Sequence, residues 1–199
     1  MTRRHSLEYE IKKPIQWLNQ VHGIDVYVSS ANISTSPTAD AAVTQNKSVA
    51  LAIMTADCLP IVISANNASG QSAVGIAHAG WRGLLHGVID ETVKTLKKIV
   101  PNAELHAHLG PCIGLTQFEV GDDVRGAFVE KFKSAPLHFY AKPSNKYLCD
   151  LTGLARSSLK ALDVVSVTGG GWCTVSDPRL ASYRRRSITG RFTTLVALD

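Results

Sequence analysis

The sequence predicts an α/β protein: a single-domain α/β sandwich with a mixed β-sheet. Three observations carry that expectation. Short apolar runs bounded by turn residues recur at Val49–Met54, Leu59–Ile63 and Ser72–His78, as buried strands do. Longer stretches place apolar residues every three or four positions, as amphipathic helices do. The two kinds of segment are interspersed without the regular strand–helix–strand alternation of a doubly wound sheet. At 199 residues the chain suits one domain with a substantial core.

In chain order, residues 1–21 are polar and then apolar (Ile15, Trp17, Leu18), leading into His22. Ile24–Val28 alternates apolar and polar positions and reads as a strand. Ala31 to Thr38, rich in Ser and Thr with Pro37, reads as loop. Val49–Met54 and Leu59–Ile63 are strands on either side of Cys58. Asn66–Gly70 is a turn, and Ser72–His78 returns as a strand. Leu84, Leu85, Val88, Ile89, Val93, Leu96, Ile99 and Val100 mark one helix. Its last turns carry Lys94, Lys97 and Lys98, which suit the dipole, and Pro101 stops it. A strand through Leu105, Ala107 and Leu109 ends at Gly110. Val124, Phe128 and Phe132 mark a second helix, and Leu151, Leu154, Ala155, Leu159 and Leu162 a third. Val164–Val167 and Phe192–Leu198 are late strands.

Composition excludes several classes. With 45% hydrophobic and 19% charged residues the chain is globular, not disordered. No apolar run approaches the roughly 20 residues of a membrane span. Met1–Pro14 lacks the apolar core of a signal peptide. Cysteines 58, 112, 149 and 173 form no CxxC pair, so reduced thiols in a cytoplasm are expected. The net charge of +5 invites a nucleic-acid role, but Arg184-Arg185-Arg186 is the only triple run and no recognition signature accompanies it. A solvated surface or attraction of small anions is the better reading.

The candidate chemistry centres on Met54 to Gly83. Cys58 sits in Thr55-Ala56-Asp57-Cys58-Leu59-Pro60, where the backbone breaks between two strands. His78 ends the next strand and precedes Ala79-Gly80, which permits close approach. His22 lies upstream in Gln20-Val21-His22-Gly23. Each residue alone has a plain reading, the cysteine as a small buried hydrophobe and the histidines as hydrogen-bonded side chains. Together, two imidazoles and a thiolate with an open position make a sensible catalytic site for zinc or copper. Their wide separation in the chain matches no local metal motif.

The phrases QVHG, TADCLP, AHAGWRG, GPCIG at Gly110 and GGWCTVSD…SYRRR…TGR resemble the YfiH family, once called polyphenol oxidase or laccase-domain proteins. They run in order from His22 to Arg191. The resemblance implies that His22, Cys58 and His78 bind a catalytic metal, usually taken as Zn²⁺, with Cu²⁺ the other possibility. It implies phosphorolysis of purine nucleosides (adenosine, inosine, guanosine and methylthioadenosine), with adenosine deamination in addition. Any deamination would use a different site from the H-x-E…P-C-x-x-C deaminases, whose signature is absent. The expected partners are purine nucleosides and phosphate. A copper-dependent polyphenol oxidase and a peptidoglycan-precursor amidase are the enzyme alternatives attached to the family. A zinc-stabilised interaction module is the non-enzyme one. Family members carry a further segment before QVHG, with Ser-x-x-Pro-Tyr and Asn-Arg phrases. The chain is therefore expected to lack part of it.

Four further candidates follow. Asp57 could orient a ligand or act as acid or base. Arg82, in the first turn after the His78 strand, could hold phosphate or form a salt bridge. Cys112, in a Gly-Pro-Cys-Ile-Gly loop, is expected to line the pocket and touch substrate. His106 and His108 share one strand face, which could bind metal but reads better as solvated. Cys149 and Cys173 are expected to be structural. The SYRR and TGR phrases match the family without suggesting a step.

Overall fold

The structure is a computed structural model that describes residues 7, 9–31, 33 and 35–199. The sequence readings of residues 1–6 and 8, and of Asn32 and Ser34 as loop, lie outside the described residues. The central sheet has six strands, in the order β11-β7-β5-β6-β3-β2. Their ranges are β2 (Val26–Val28), β3 (Ala41–Thr44), β5 (Leu59–Asn66), β6 (Ser72–Ala79), β7 (Glu104–Leu109) and β11 (Ser166–Gly169). The pairs β2–β3 and β11–β7 are parallel and the others antiparallel, so the sheet is mixed. A second sheet joins β1 (Ile15–Gln16), β4 (Ala50–Thr55) and β12 (Phe192–Ala197), with β4 central. A third, antiparallel, joins β8 (Glu119–Gly121), β10 (Lys146–Cys149) and β9 (Phe139–Lys142).

Strand alternation sorts the core into layers, because successive side chains point to opposite faces. From β6, Val74 and Ile76 face the second sheet, meeting Leu51 and Ile53 of β4 and Ala42 of β3. Ala73, Ala77 and Ala79 face the other way, with Leu59, Ile61 and Ile63 of β5. On that side lie the helices α1 (Trp81–His86), α2 (Val88–Ile99), α3 (Asp122–Lys131) and α4 (Leu151–Ala161). Helix α2 turns Val88, Ile89, Val93 and Leu96 inward, as its period requires. Each fully buried aliphatic side chain of this kind stabilises the fold by about 1.5–3 kcal/mol relative to exposure. The α/β sandwich with a mixed sheet is therefore the architecture.

The structure departs from the sequence expectation at several places. The single helix from Leu84 is two helices, because Gly87 adopts φ 108°, ending α1 and opening α2. Only glycine takes that conformation without strain. Burial continues through the break at Leu84, Leu85, Val88 and Ile89, so the apolar period hides it. Strand β3 was not expected, since Ala41-Ala42-Val43-Thr44 is buried throughout and shows no alternation. The β8–β10 sheet was also missed; its strands are short and partly exposed.

Register sets the site. Pairing of β5 with β6 places Leu59 opposite Ala79 and Pro60 opposite His78. Pairing of β3 with β6 places Ala41 opposite Ala77, and the His78 N–H donates to the Asp40 carbonyl at 2.7 Å. Cys58, His78 and Asp40 thus meet at one end of the sheet.

Candidate metal centre

His22, Cys58 and His78 converge, with one donor atom of each lying within 4.8 Å of the others. Cys58 Sγ is 3.8 Å from His22 Nε2. In a tetrahedral zinc site with ordinary bond lengths the sulfur–nitrogen edge is about 3.6 Å, so little closure is required. The two imidazole rings meet edge to face, their centroids 4.8 Å apart. His78 is buried, Cys58 half-buried and His22 exposed, which leaves one side open to the pocket.

Asp40 organises this centre and was not singled out by the sequence. Its carboxylate is fully buried and accepts the backbone N–H groups of Val21, His22 and Gly23 at 3.0, 2.9 and 2.7 Å. Those bonds hold His22 at φ 62°, a left-handed conformation that a histidine rarely adopts unaided. Asp40 Oδ1 also accepts His78 Nδ1–H at 2.7 Å. That bond fixes the tautomer and leaves Nε2 for the cluster, the arrangement of a carboxylate behind a metal-binding histidine. Burial alone would raise the Asp40 pKa, but the bonds from His78 and the amides hold it below the usual carboxylate range. Only one sequence signal pointed to Asp40, an acid placed immediately before the apolar run Ala41–Val43.

The electrostatics favour a thiolate. Burial raises the Cys58 pKa, yet hydrogen bonds from His22 and His78 and their charge bring it down to about 7. Burial lowers that of His78, while the bonds to Asp40 and Cys58 push it up to about 9. Both shifts favour the charged forms, a thiolate on Cys58 and an imidazolium on His78 beside the Asp40 carboxylate. Two nitrogens and a soft sulfur suit zinc or copper, and the donor set fits such an ion.

The triad opens onto a pocket of about 640 Å³, within the range of small-molecule sites. Asp57 and Arg82 line it, as do Trp81, Phe118, Tyr183, Arg184 and Arg191. The Arg82 guanidinium lies 4.5 Å above the Trp81 ring. Asp57, at φ 97°, is tied down on both carboxylate oxygens. Oδ1 accepts the Thr174 hydroxyl at 2.6 Å and Oδ2 the Arg184 N–H at 2.7 Å. These bonds fasten the carboxy-terminal segment to the cysteine turn, which gives the SYRR phrase a structural role. Cys112 is not a pocket residue: it is 1% exposed, and Ile113 takes the lining position beside it. Burial, then the charge of Cys173, pushes its thiol up to about 12. His106 and His108 pair with the hydroxyls of Ser166 and Thr168 on β11, away from the triad.

Gly80 shows how tightly the centre is packed. A Cβ there would lie 2.8 Å from Cys58 Sγ and 3.2 Å from His22 Cδ2. Gly80→Ala must displace two of the three donors. Metal affinity in a calorimetric titration should fall on the order of 10- to 100-fold, the range seen when a ligand's support is disturbed. Unchanged affinity would mean that these two side chains do not hold the ion.

A mixed six-stranded sheet packed between a second sheet and a helical layer, with a His-Cys-His cluster at its end, defines the class. The chain belongs to the family described as multi-copper polyphenol oxidoreductase laccase, whose sequence model matches residues 2–199. Among its relatives are a purine nucleoside phosphorylase of Pseudomonas aeruginosa, 46% identical over 92% of this chain and 74% of that one. The purine nucleoside phosphorylase YfiH of Escherichia coli is 41% identical over 94% and 74%. A solved structure, Neisseria meningitidis protein NMB0706, superposes with a TM-score of 0.90 at 42% identity, covering 98% of this chain and 79% of that one. The YfiH protein of Bacillus licheniformis, 22% identical, shares the fold with a TM-score of 0.89 over 98% of this chain and 79% of its own.

Proposed function

We propose that this chain is a metal-dependent purine nucleoside phosphorylase acting on adenosine, inosine, guanosine and methylthioadenosine, with adenosine deamination as a second activity. One observation carries the reading: a single pocket joins the His22–Cys58–His78 triad to guanidinium groups and aromatic rings, in a chain whose relatives bear that name. We assign Zn²⁺ to the triad, with Cu²⁺ as the alternative. When bound, the ion supplies a Lewis acid with a coordination position left for water or substrate.

In this reading phosphate attacks the ribose C1′, the N-glycosidic bond breaks, and the base and a ribose 1-phosphate leave. Arg82 and Arg191 offer planar, permanently charged donors for the phosphate. Trp81, Phe118 and Tyr183 offer flat apolar faces for a purine. The Thr55 hydroxyl, buried in the pocket wall with no hydrogen-bond partner among the described residues, would be satisfied by a substrate polar group. Asp57 holds the turn that presents Cys58 and acts as a positioning residue. Asp40 keeps His78 in one tautomer and His22 in its strained turn. Cys112 would act behind the wall, through Ile113, rather than on substrate. We place the enzyme in the cytoplasm, on its free thiols; no helix of the described residues is long and apolar enough to cross a membrane.

The family description favours a second reading, copper-dependent phenol oxidation. Multicopper chemistry needs several centres, and the described residues gather one such cluster. The discriminating experiment is chromatography of products from a nucleoside panel, with and without phosphate, on metal-quantified protein. Adenine should be released from adenosine only with phosphate present. Equal release in phosphate-free buffer would mean hydrolysis, and phenol oxidation without nucleoside turnover would overturn the reading.

A further inference from the structure

Two motifs have no direct part in the pocket chemistry, Gly110-Pro111-Cys112-Ile113-Gly114 and Gly171-Trp172-Cys173-Thr174. The backbone joins them. The Cys112 N–H donates to the Trp172 carbonyl at 3.2 Å, and the Cys112 carbonyl accepts the Thr174 N–H at 2.9 Å. Cys112 and Cys173 are therefore paired residues of an isolated parallel bridge, both as free thiols. Bridged backbones lie about 4.8 Å apart, inside the roughly 4.4–6.8 Å between Cα atoms that a disulfide spans.

The two sulfurs have opposite surroundings. Cys112 is shut away from solvent. Cys173 is half-buried and borders an open surface hollow, distinct from the triad's pocket, with Trp172, Ser176, Asp177 and Arg179. Its Sγ accepts the Gly114 N–H at 3.3 Å and the Ser176 hydroxyl at 3.5 Å. The backbone amides of Ser176 and Val175 add to that set. A Cβ at Gly114 would lie 3.1 Å from this sulfur, so the glycine lets Cys173 rest against the segment that carries Cys112. Burial raises the Cys173 pKa, but this ring of donors brings it below that of an ordinary thiol.

We propose that Cys173 is an oxidation site for hydroperoxides, with Cys112 as its resolving partner. The Cys173 thiolate attacks a peroxide oxygen: an S–O bond forms, the O–O bond breaks, and hydroxide or alkoxide leaves. Cys112 sulfur then attacks the sulfenic acid: the S–S bond forms, the S–O bond breaks, and the hydroxyl departs as water with the Cys112 proton. The peroxide is the two-electron oxidant for the pair. The order of events follows from access, since peroxide reaches only the half-buried thiol. Oxidation also removes the Cys173 charge, the largest electrostatic influence keeping Cys112 protonated after burial itself. The bridge adjoins the metal centre: the Thr174 hydroxyl and the Ile113 N–H both hold Asp57, next to Cys58.

The test is peptide mass spectrometry after limiting hydrogen peroxide, with and without dimedone as a sulfenic-acid trap. Dimedone should mark Cys173, and without it a Cys112–Cys173 peptide should accumulate and disappear on reduction. Iodoacetamide at neutral pH should label Cys173 at least about tenfold faster than Cys149, whose burial pushes its thiol up to about 12. In Cys173→Ser, peroxide should leave Cys112 reduced. Equal labelling of Cys173 and Cys149, a link from Cys112 to Cys58, or a persistent Cys173 sulfenic acid without any link would overturn the proposal. Should Cys173→Ser fail to fold, the wild-type labelling and cross-link decide alone.

Discussion

Cys58→Ala should abolish stoichiometric metal binding and lower phosphorolysis on the order of a thousandfold, the counterpart of the several kcal/mol that a Lewis acid supplies. His78→Ala and His22→Ala should do the same. The thermal midpoint should fall only modestly, because the triad sits at the sheet end while the layers on either side of the sheet carry the apolar core. Cys149→Ala is the control, a buried core thiol outside the triad. Acid should weaken binding. His78 must give up its cluster proton, held up to about 9, and Cys58 its own, near 7. Each depressed or raised value has a direct sign: the protonated form cannot ligate, so affinity falls as pH drops through it. Affinity should fall progressively as the pH drops, because protons compete with the ion for both ligand atoms. Retention of metal and activity by all three variants would place the site elsewhere. Outright unfolding would make the metal structural.

Asp40→Ala should be the most damaging single change to stability near the site. It leaves the His78 Nδ1–H and the amides of Val21, His22 and Gly23 without their acceptor. The buried His78 donor left unpaired costs about 1–3 kcal/mol and the three part-buried amides add less each, so the loss in a denaturant titration should be at least about 1–3 kcal/mol. Asp40→Asn keeps the shape and one acceptor oxygen but removes the charge. It should fold, and its metal affinity should drop about 10- to 100-fold. A wild-type affinity in Asp40→Asn would show that the carboxylate does not support His78.

The layered fold was legible wherever apolar period and burial agree. The strands around Cys58 and the His78 strand announce themselves through continuous aliphatic runs, and α2 and α4 through their inward faces. Strand β3 was not legible, because its small residues are buried on both faces and pattern with nothing. Asp40 was lost with it, since its importance comes from the register of β3 against β6. The three triad residues were readable only through their phrases; spacing alone could not bring together residues set so far apart. Cys112 misled for a similar reason. Its loop does reach the pocket, but Ile113 faces it and Cys112 turns inward.

The central claim is that one metal ion on His22, Cys58 and His78 drives phosphorolysis. The most direct measurement titrates zinc into metal-stripped protein while ribose 1-phosphate formation from inosine and phosphate is followed. Activity should rise linearly from near zero and break sharply at one ion per chain. Full activity in the stripped protein, or zinc binding at that stoichiometry with no gain in turnover, would contradict it.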